Sequence, residues 1–230
     1  MEDSQMKKVV SMLVMAVLAA ASQASVISWA YDNGTDVLGT AGVEPAMNWN
    51  ETRPEDTGGS SLNYDDGTAS GVTLSVAGGF GAWGIGGATS PDANGTYNKA
   101  VFDGYYNSIG STLTLSNIPY VRYNIIAYIS SDQDGRTGTV SDGSTTYSFS
   151  TNTRSMVDND PSMTLIQSID TGLSYPSANY VVFSNLTGAN QILTIANASD
   201  GMGFAGIQIV PEPATMLLLG LGGLLLRRKG

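Results

Sequence analysis

The chain has 230 residues and a formal net charge of −10, from 20 acidic and 10 basic residues. It contains no cysteine and no histidine, which excludes disulfide frameworks, thiolate catalysis, histidine-ligated metals and Ser-His-Asp hydrolysis. The acidic balance argues against nucleic-acid binding, because phosphate contacts need a basic surface.

The first 24 residues have the layout of a secretory signal peptide. Lys7 and Lys8 precede an apolar run from Val9 to Ala21, and small residues follow as far as Ala24. A basic start, a short apolar run and small residues before a cut are the three parts of such a peptide. We therefore predict a signal helix within residues 1–24, cleavage after Ala24 and export of the protein.

Residues 25–210 form the predicted ectodomain, with 5 basic and 17 acidic residues and a net charge of −12. Long helical periodicity is absent, and short β-rich segments are separated by clusters of glycine, aspartate and asparagine. This spacing predicts an all-β fold, an antiparallel β-sandwich.

Nine segments have the alternation or apolar density expected of strands, and the densest, Tyr123–Ile129, predicts a central strand. Between Gly39 and Ser70 we expect a long, polar, turn-rich loop. The nine segments are Val26–Ala30, Val72–Val76, Thr112–Leu115, Tyr123–Ile129, Thr145–Ser150, Thr164–Ile169, Tyr180–Ser184, Ile192–Ala196 and Phe204–Val210.

A resemblance adds to this interpretation. It rests on Trp49-Asn50, on Asp65-Asp66-Gly67 before Gly71–Leu74, on Leu113–Pro119 before a tyrosine-rich strand, and on Ala205–Val210. Together these segments resemble the jelly-roll, galactose-binding-like domains of bacterial surface proteins. The resemblance implies a jelly-roll sandwich that binds sugars, with a Ca²⁺ ion in many of its sugar-binding members.

Exposed aromatic side chains are the residues on which sugar rings stack. Trp49, in the predicted long loop, is the first candidate for a carbohydrate-binding platform. Trp83, flanked by glycines, and the adjacent pair Tyr105 and Tyr106 are further candidates. The alternative for each is packing in the core, and one member of an adjacent pair on a strand usually faces inward.

Asp132-Gln133-Asp134-Gly135 resembles the opening of a calcium loop. Arg136 occupies the fifth position and the late glutamate is missing, so an EF-hand is excluded. A polar turn after the Tyr123–Ile129 strand is the favoured interpretation. A calcium site that uses Asp132 and Asp134 is the alternative.

The last 20 residues, 211–230, consist of three parts in order. Pro211-Glu212-Pro213 is followed by an apolar run from Ala214 to Leu226 and then by Arg227, Arg228 and Lys229. A helix over that run is about 20 Å long, which is short against a hydrocarbon core of about 30 Å. The basic residues would lie at the cytoplasmic headgroups.

This layout resembles the PEP-CTERM sorting signal of bacterial surface proteins. In that family a membrane protease, exosortase, is thought to recognise the Pro-Glu-Pro tripeptide and to process the tail. The resemblance implies recognition by exosortase at Pro211, Glu212 and Pro213, a short hydrophobic helix ending at the basic residues, and a location at the cell envelope or surface. The alternative is an ordinary C-terminal membrane anchor.

These features predict a non-enzymatic, exported surface or matrix protein that binds extracellular polysaccharide. A purely structural, self-associating matrix component is the second hypothesis. A carboxylate-based glycoside hydrolase or lyase is the third, although no pair of acidic residues stands in a recognisable motif for that chemistry.

Overall fold

The computed structural model describes residues 25–79, 82–86, 90–107, 110–196 and 201–212. Within these ranges the chain forms fourteen strands, numbered in chain order, and three short helices. The predicted signal helix in residues 1–24 and the predicted tail helix in residues 214–226 lie outside the described residues. Residues 25–210 form one compact unit by their internal contacts.

Sheet A contains seven strands, in the order β12-β8-β14-β1-β2, with β6 paired to β14 and β5 paired to β6. Its strands are β1 (Ile27–Tyr31), β2 (Asn50–Thr52), β5 (Ala82–Gly84), β6 (Gly104–Asn107), β8 (Tyr123–Ser131), β12 (Tyr180–Leu186) and β14 (Met202–Pro211).

Sheet B also contains seven strands, in the order β11-β10-β9-β13-β7-β4-β3. Its strands are β3 (Ser60–Asn63), β4 (Ala69–Ala77), β7 (Thr112–Ser116), β9 (Thr137–Ser141), β10 (Thr146–Thr151), β11 (Ser177–Ala178) and β13 (Gln191–Ala196). The helices are α1 (Pro54–Thr57), α2 (Asn98–Val101) and α3 (Thr153–Asn159).

The prediction of an all-β sandwich is confirmed. Its pairing is mainly antiparallel, but β1 pairs with β2 and β10 pairs with β11 in parallel. Both sheets are therefore mixed. Eight of the nine predicted strands are present, and the region between Gly39 and Ser70 holds β2, α1 and β3 as well as loop.

The predicted strand Thr164–Ile169 is wrong. Its residues form a loop that makes an isolated bridge, between Gln167 and Tyr180. Backbone pairing is limited to bonds such as that from the Ser168 N–H to the Tyr180 carbonyl at 2.9 Å. The Thr164 N–H donates instead to the Asp160 carboxylate at 2.7 Å, and the Ile166 N–H donates to the Asn179 side-chain oxygen at 2.9 Å. Local side-chain bonds of this kind compete with regular pairing.

The main hydrophobic core lies between the two sheets. Sheet B contributes alternate residues, such as Leu113 and Leu115 of β7, while their neighbours Thr112 and Thr114 are half-exposed. This period of two follows from the pleat of a strand with one buried face.

A second hydrophobic cluster covers the outer face of sheet A. Trp49, Phe102 and Met156 pack there against Tyr128 of β8 and Ala205 of β14. Strand β8 is therefore buried almost throughout, and β14 is buried from Met202 to Ile209. Strands covered on both faces have near-continuous apolar sequences, which is why Tyr123–Ile129 predicts a central strand.

Gln208 of β14 fixes the loop that covers this outer face. Its side-chain oxygen accepts hydrogen bonds from the Tyr128 hydroxyl at 2.5 Å and the Glu44 N–H at 3.2 Å. Its amide donates to the Ser28 hydroxyl at 3.1 Å and the Glu44 carbonyl at 2.6 Å. Gly42 has φ +95°, and a Cβ there would lie 2.5 Å from the Gln208 oxygen, so this approach requires glycine.

Replacing Gln208 with leucine should destabilise the protein by roughly 1–3 kcal/mol, because the buried partners of the amide would lose their hydrogen bonds. Urea denaturation followed by tryptophan fluorescence measures the change. Gln191→Leu is the matched control, since Gln191 is half-exposed and donates at the surface to the Thr187 carbonyl. Equal stabilities of the two variants would contradict the role given to Gln208.

Candidate functional site

Trp49 is not an exposed platform. Its side chain is only 6 % exposed, its ring centroid lies 5.9 Å from that of Tyr128, and its indole N–H donates to the Ala46 carbonyl at 3.2 Å. The expectation of sugar stacking on Trp49 is corrected, because the chain around it folds over the outer face of sheet A and buries the ring.

Tyr105 and Tyr106 of β6 are also buried. Tyr105 points into the outer cluster and donates its hydroxyl to the Gly201 carbonyl at 3.0 Å. Tyr106 points into the main core, 6.1 Å from the ring of Tyr31. One of the pair was expected to face inward, but sheet A is covered on both faces, so both rings are removed from solvent.

Trp83 of β5 is the predicted platform residue that stays accessible, with 53 % of its surface exposed. It lies opposite Tyr105 in the antiparallel pair of β5 and β6. The structure therefore separates the four predicted aromatic residues into three core residues and one surface indole.

Asp132 and Asp134 are engaged by partners within the protein. The Asp132 carboxylate forms an ion pair with Arg136 at 2.8 Å. The Asp134 carboxylate accepts hydrogen bonds from the backbone N–H of Ser155, at 3.1 and 3.2 Å, and from the Ser155 hydroxyl. The calcium site stays a prediction, and both carboxylates that it needs bind Arg136 and Ser155 instead.

Among the residues that the structure describes, no three acidic side chains lie close enough together to hold a metal ion. In the same ranges, no helix is both long enough and apolar enough to cross a membrane.

A pocket of about 250 Å³ lies beside α3, at a place that sequence reasoning did not single out as a site. Asn152, Asn159, Asp160 and Ile166 are among its lining residues. The backbone N–H of Thr164 holds the pKa of Asp160 below its usual value. The lining contains one carboxylate, whereas glycoside hydrolysis uses a pair.

Strand β14 ends at Pro211, the first residue of the predicted Pro-Glu-Pro signal. Pro211 and Glu212 are half-exposed. Pro213, Arg227, Arg228 and Lys229 lie outside the described residues. The sorting tripeptide therefore starts at the point where the last strand of sheet A is complete.

Residues 210–229 match the PEP-CTERM protein-sorting motif. This confirms the predicted sorting signal, and the motif is of the kind that exosortase recognises. The protein is thus exported and sorted to the cell envelope or surface. No curated protein and no solved structure matches the chain, and the galactose-binding-like assignment of the ectodomain stays a prediction.

Glu51 of β2 is a titratable group that the sequence did not mark. Partial burial raises the pKa of Glu51 to about 7, the negative charges of Asp36 and Asp32 add to the increase, and a hydrogen bond from the Val37 N–H opposes it. That bond is 2.8 Å long and ties the loop after β1 to β2.

Glu51 should make the protein less stable as the pH rises from about 4.5 to about 7. The folded state holds a proton on Glu51 in this interval and the unfolded state does not, so unfolding becomes more favourable with pH. Glu51→Gln keeps an acceptor for Val37 and removes the titration. Its denaturation midpoint should exceed that of the wild type at pH 8 and match it near pH 4, below the unfolded-state pKa of about 4.5.

Glu44→Gln is the control for this comparison, because the Glu44 side chain is exposed. A wild-type advantage over Glu51→Gln at pH 8 would show that the charged form of Glu51 stabilises the fold instead.

Proposed function

We propose that this protein is a non-enzymatic component of the cell surface or its extracellular matrix, and that exosortase removes its C-terminal tail. The observation that carries the proposal is the end of β14 at Pro211. The register of β1 with β14 reaches Ile209, so cleavage beyond Pro211 would remove no residue of that pair.

The pairing of the first and last strands supports this proposal. Ile27 of β1 lies opposite Ile209 of β14 in an antiparallel pair. Cleavage after Ala24 and cleavage beyond Pro211 would both leave this pair intact. The two processing steps can therefore occur without opening the sheet, and the mature protein keeps residues 25–210 as its folded part.

In this proposal the tail is a sorting signal that is removed after it has directed the protein to the cell surface. Its apolar run from Ala214 to Leu226 is short against the roughly 20 residues that a permanent membrane-spanning helix needs. Proline on both sides of Glu212 disfavours a helix that runs from the membrane segment back into the ectodomain.

Mass spectrometry of the protein from the cell surface should find no residues beyond about Pro213. The variant with Pro211→Ala and Pro213→Ala should keep the Arg227–Lys229 end, because the recognition tripeptide is lost. Pro45→Ala is the matched control, since Pro45 is exposed and far from the tail in sequence. An intact Arg227–Lys229 end on the wild-type surface protein would overturn the proposal.

Binding of extracellular polysaccharide is a second candidate function, and the exposure of Trp83 favours it. A large apolar ring that is 53 % exposed offers a face for a sugar ring. Net charge of −12 in residues 25–210 favours an uncharged polysaccharide over an anionic one.

Trp83→Ala should reduce retention of the protein on an immobilised neutral polysaccharide several-fold, because the stacking face is removed. Affinity electrophoresis measures the retention. Val121→Ala, at an apolar residue that is 90 % exposed, is the control and should leave retention unchanged. Equal retention of wild type and Trp83→Ala would contradict a role for this indole.

A further inference from the structure

Sheet B has no charged residue in its strands, and the Asp170 carboxylate reaches it from a loop at β10. None of its seven strands contains Asp, Glu, Lys or Arg. The 17 acidic and 5 basic residues of the segment 25–210 lie outside these strands. Natural proteins commonly place charges on exposed edge strands to prevent association, and the edge strands β3 and β11 of sheet B have none.

The outward side chains of β3, β4, β7 and β13 form a surface that we call the hydroxyl face. Pairing aligns Ser75 with Thr114, Thr114 with Ile192, and Thr112 with Thr194. All its members are exposed or half-exposed: Ser61, Thr73, Ser75, Thr112, Thr114, Ser116, Ile192 and Thr194.

Electrostatics distinguishes this face from the rest of the surface. Two copies of a protein with a charge of −12 repel each other wherever their carboxylates approach. At the hydroxyl face the strands contribute no carboxylate, so the repulsive cost of contact is lowest there. Ile192 of β13 is 53 % exposed and adds apolar area that contact would bury.

We propose that the hydroxyl face binds the hydroxyl face of a second copy of this chain. A face that meets itself forms a closed two-fold contact, and its serine and threonine hydroxyls can each donate and accept hydrogen bonds. A polysaccharide is a less suitable occupant, because the outward residues of these strands include no aromatic ring on which a sugar would stack.

The contact is small and therefore weak. Four strands about 4.8 Å apart, paired over a length of about five residues each, give an area on the order of 300 Å² per copy. Stable dimers bury about 800 Å² per partner. Association is therefore reversible in solution and becomes effective where many copies are displayed together, since avidity multiplies weak contacts. This last step rests on the proposed surface display.

Analytical ultracentrifugation of the protein recovered from the cell surface tests the proposal, with the termini of every sample determined by mass spectrometry. The weight-average mass should rise with protein concentration, and it should rise further with salt because salt screens the repulsion between copies. Thr114→Glu, which places a charge at the centre of the face, should shift the association to at least tenfold higher concentration.

Ser184→Glu is the matched control. Ser184 is an exposed residue of β12 in sheet A, so the substitution adds the same charge to a strand of the other sheet. It should leave the association near that of the wild type. Both variants carry the same tail, so incomplete removal of the tail would affect both equally. A difference between them therefore reports on self-association and not on tail processing.

Cross-linking gives a second measurement in this cysteine-free chain. Thr114→Cys should form a disulfide-linked dimer with a mild oxidant, and Ser184→Cys should remain monomeric. A wild-type protein that stays monomeric at all concentrations would overturn the proposal, as would equal effects of the two glutamate variants. If the wild type does not self-associate and Thr114→Glu loses its retention on polysaccharide, the hydroxyl face would instead be a glycan-binding surface.

Discussion

The burial of β14 on both of its faces is the constraint on which the rest of the structure depends. Ile207 and Ile209 point into the core between the sheets, and Gln208 between them points into the outer cluster. The buried side-chain amide of Gln208 forms hydrogen bonds with Ser28 of β1, Tyr128 of β8 and the backbone of Glu44. A polar group at this depth is tolerated because its hydrogen bonds are made within the protein.

This double burial also decides which residues meet solvent. Sheet A is covered by sheet B on one side and by the segment around Trp49 with α2 and α3 on the other, so its aromatic residues other than Trp83 serve packing. Sheet B has a hydrophobic partner on its inner face, and its outer face carries hydroxyl groups. The groups that a ligand or partner can reach are therefore Trp83 of β5, the loops and the hydroxyl face.

Several elements were predictable because their signals are local. The alternation in β7 and β4 and the dense apolar run of β8 each reflect how many faces of a strand are buried. The short strands β2, β3, β5, β6 and β11 were not predictable, since two to four residues carry too little periodicity, and the five-residue β9 is also absent from the predicted set. The strand expected at Thr164–Ile169 is reduced to an isolated bridge, where the Thr164 and Ile166 N–H groups donate to the side chains of Asp160 and Asn179.

The sequence by itself determined the cellular location of the protein and its class of fold. Export and sorting signals are read as linear segments, and their charges, prolines and apolar lengths are visible without any folding. Only the tertiary structure decided the environment of single residues, such as the burial of Trp49 and Tyr105, the raised pKa of Glu51 and the alignment of Thr114 with Ser75 and Ile192. These properties arise from contacts between residues far apart in the chain, and no local pattern encodes which segment covers which face.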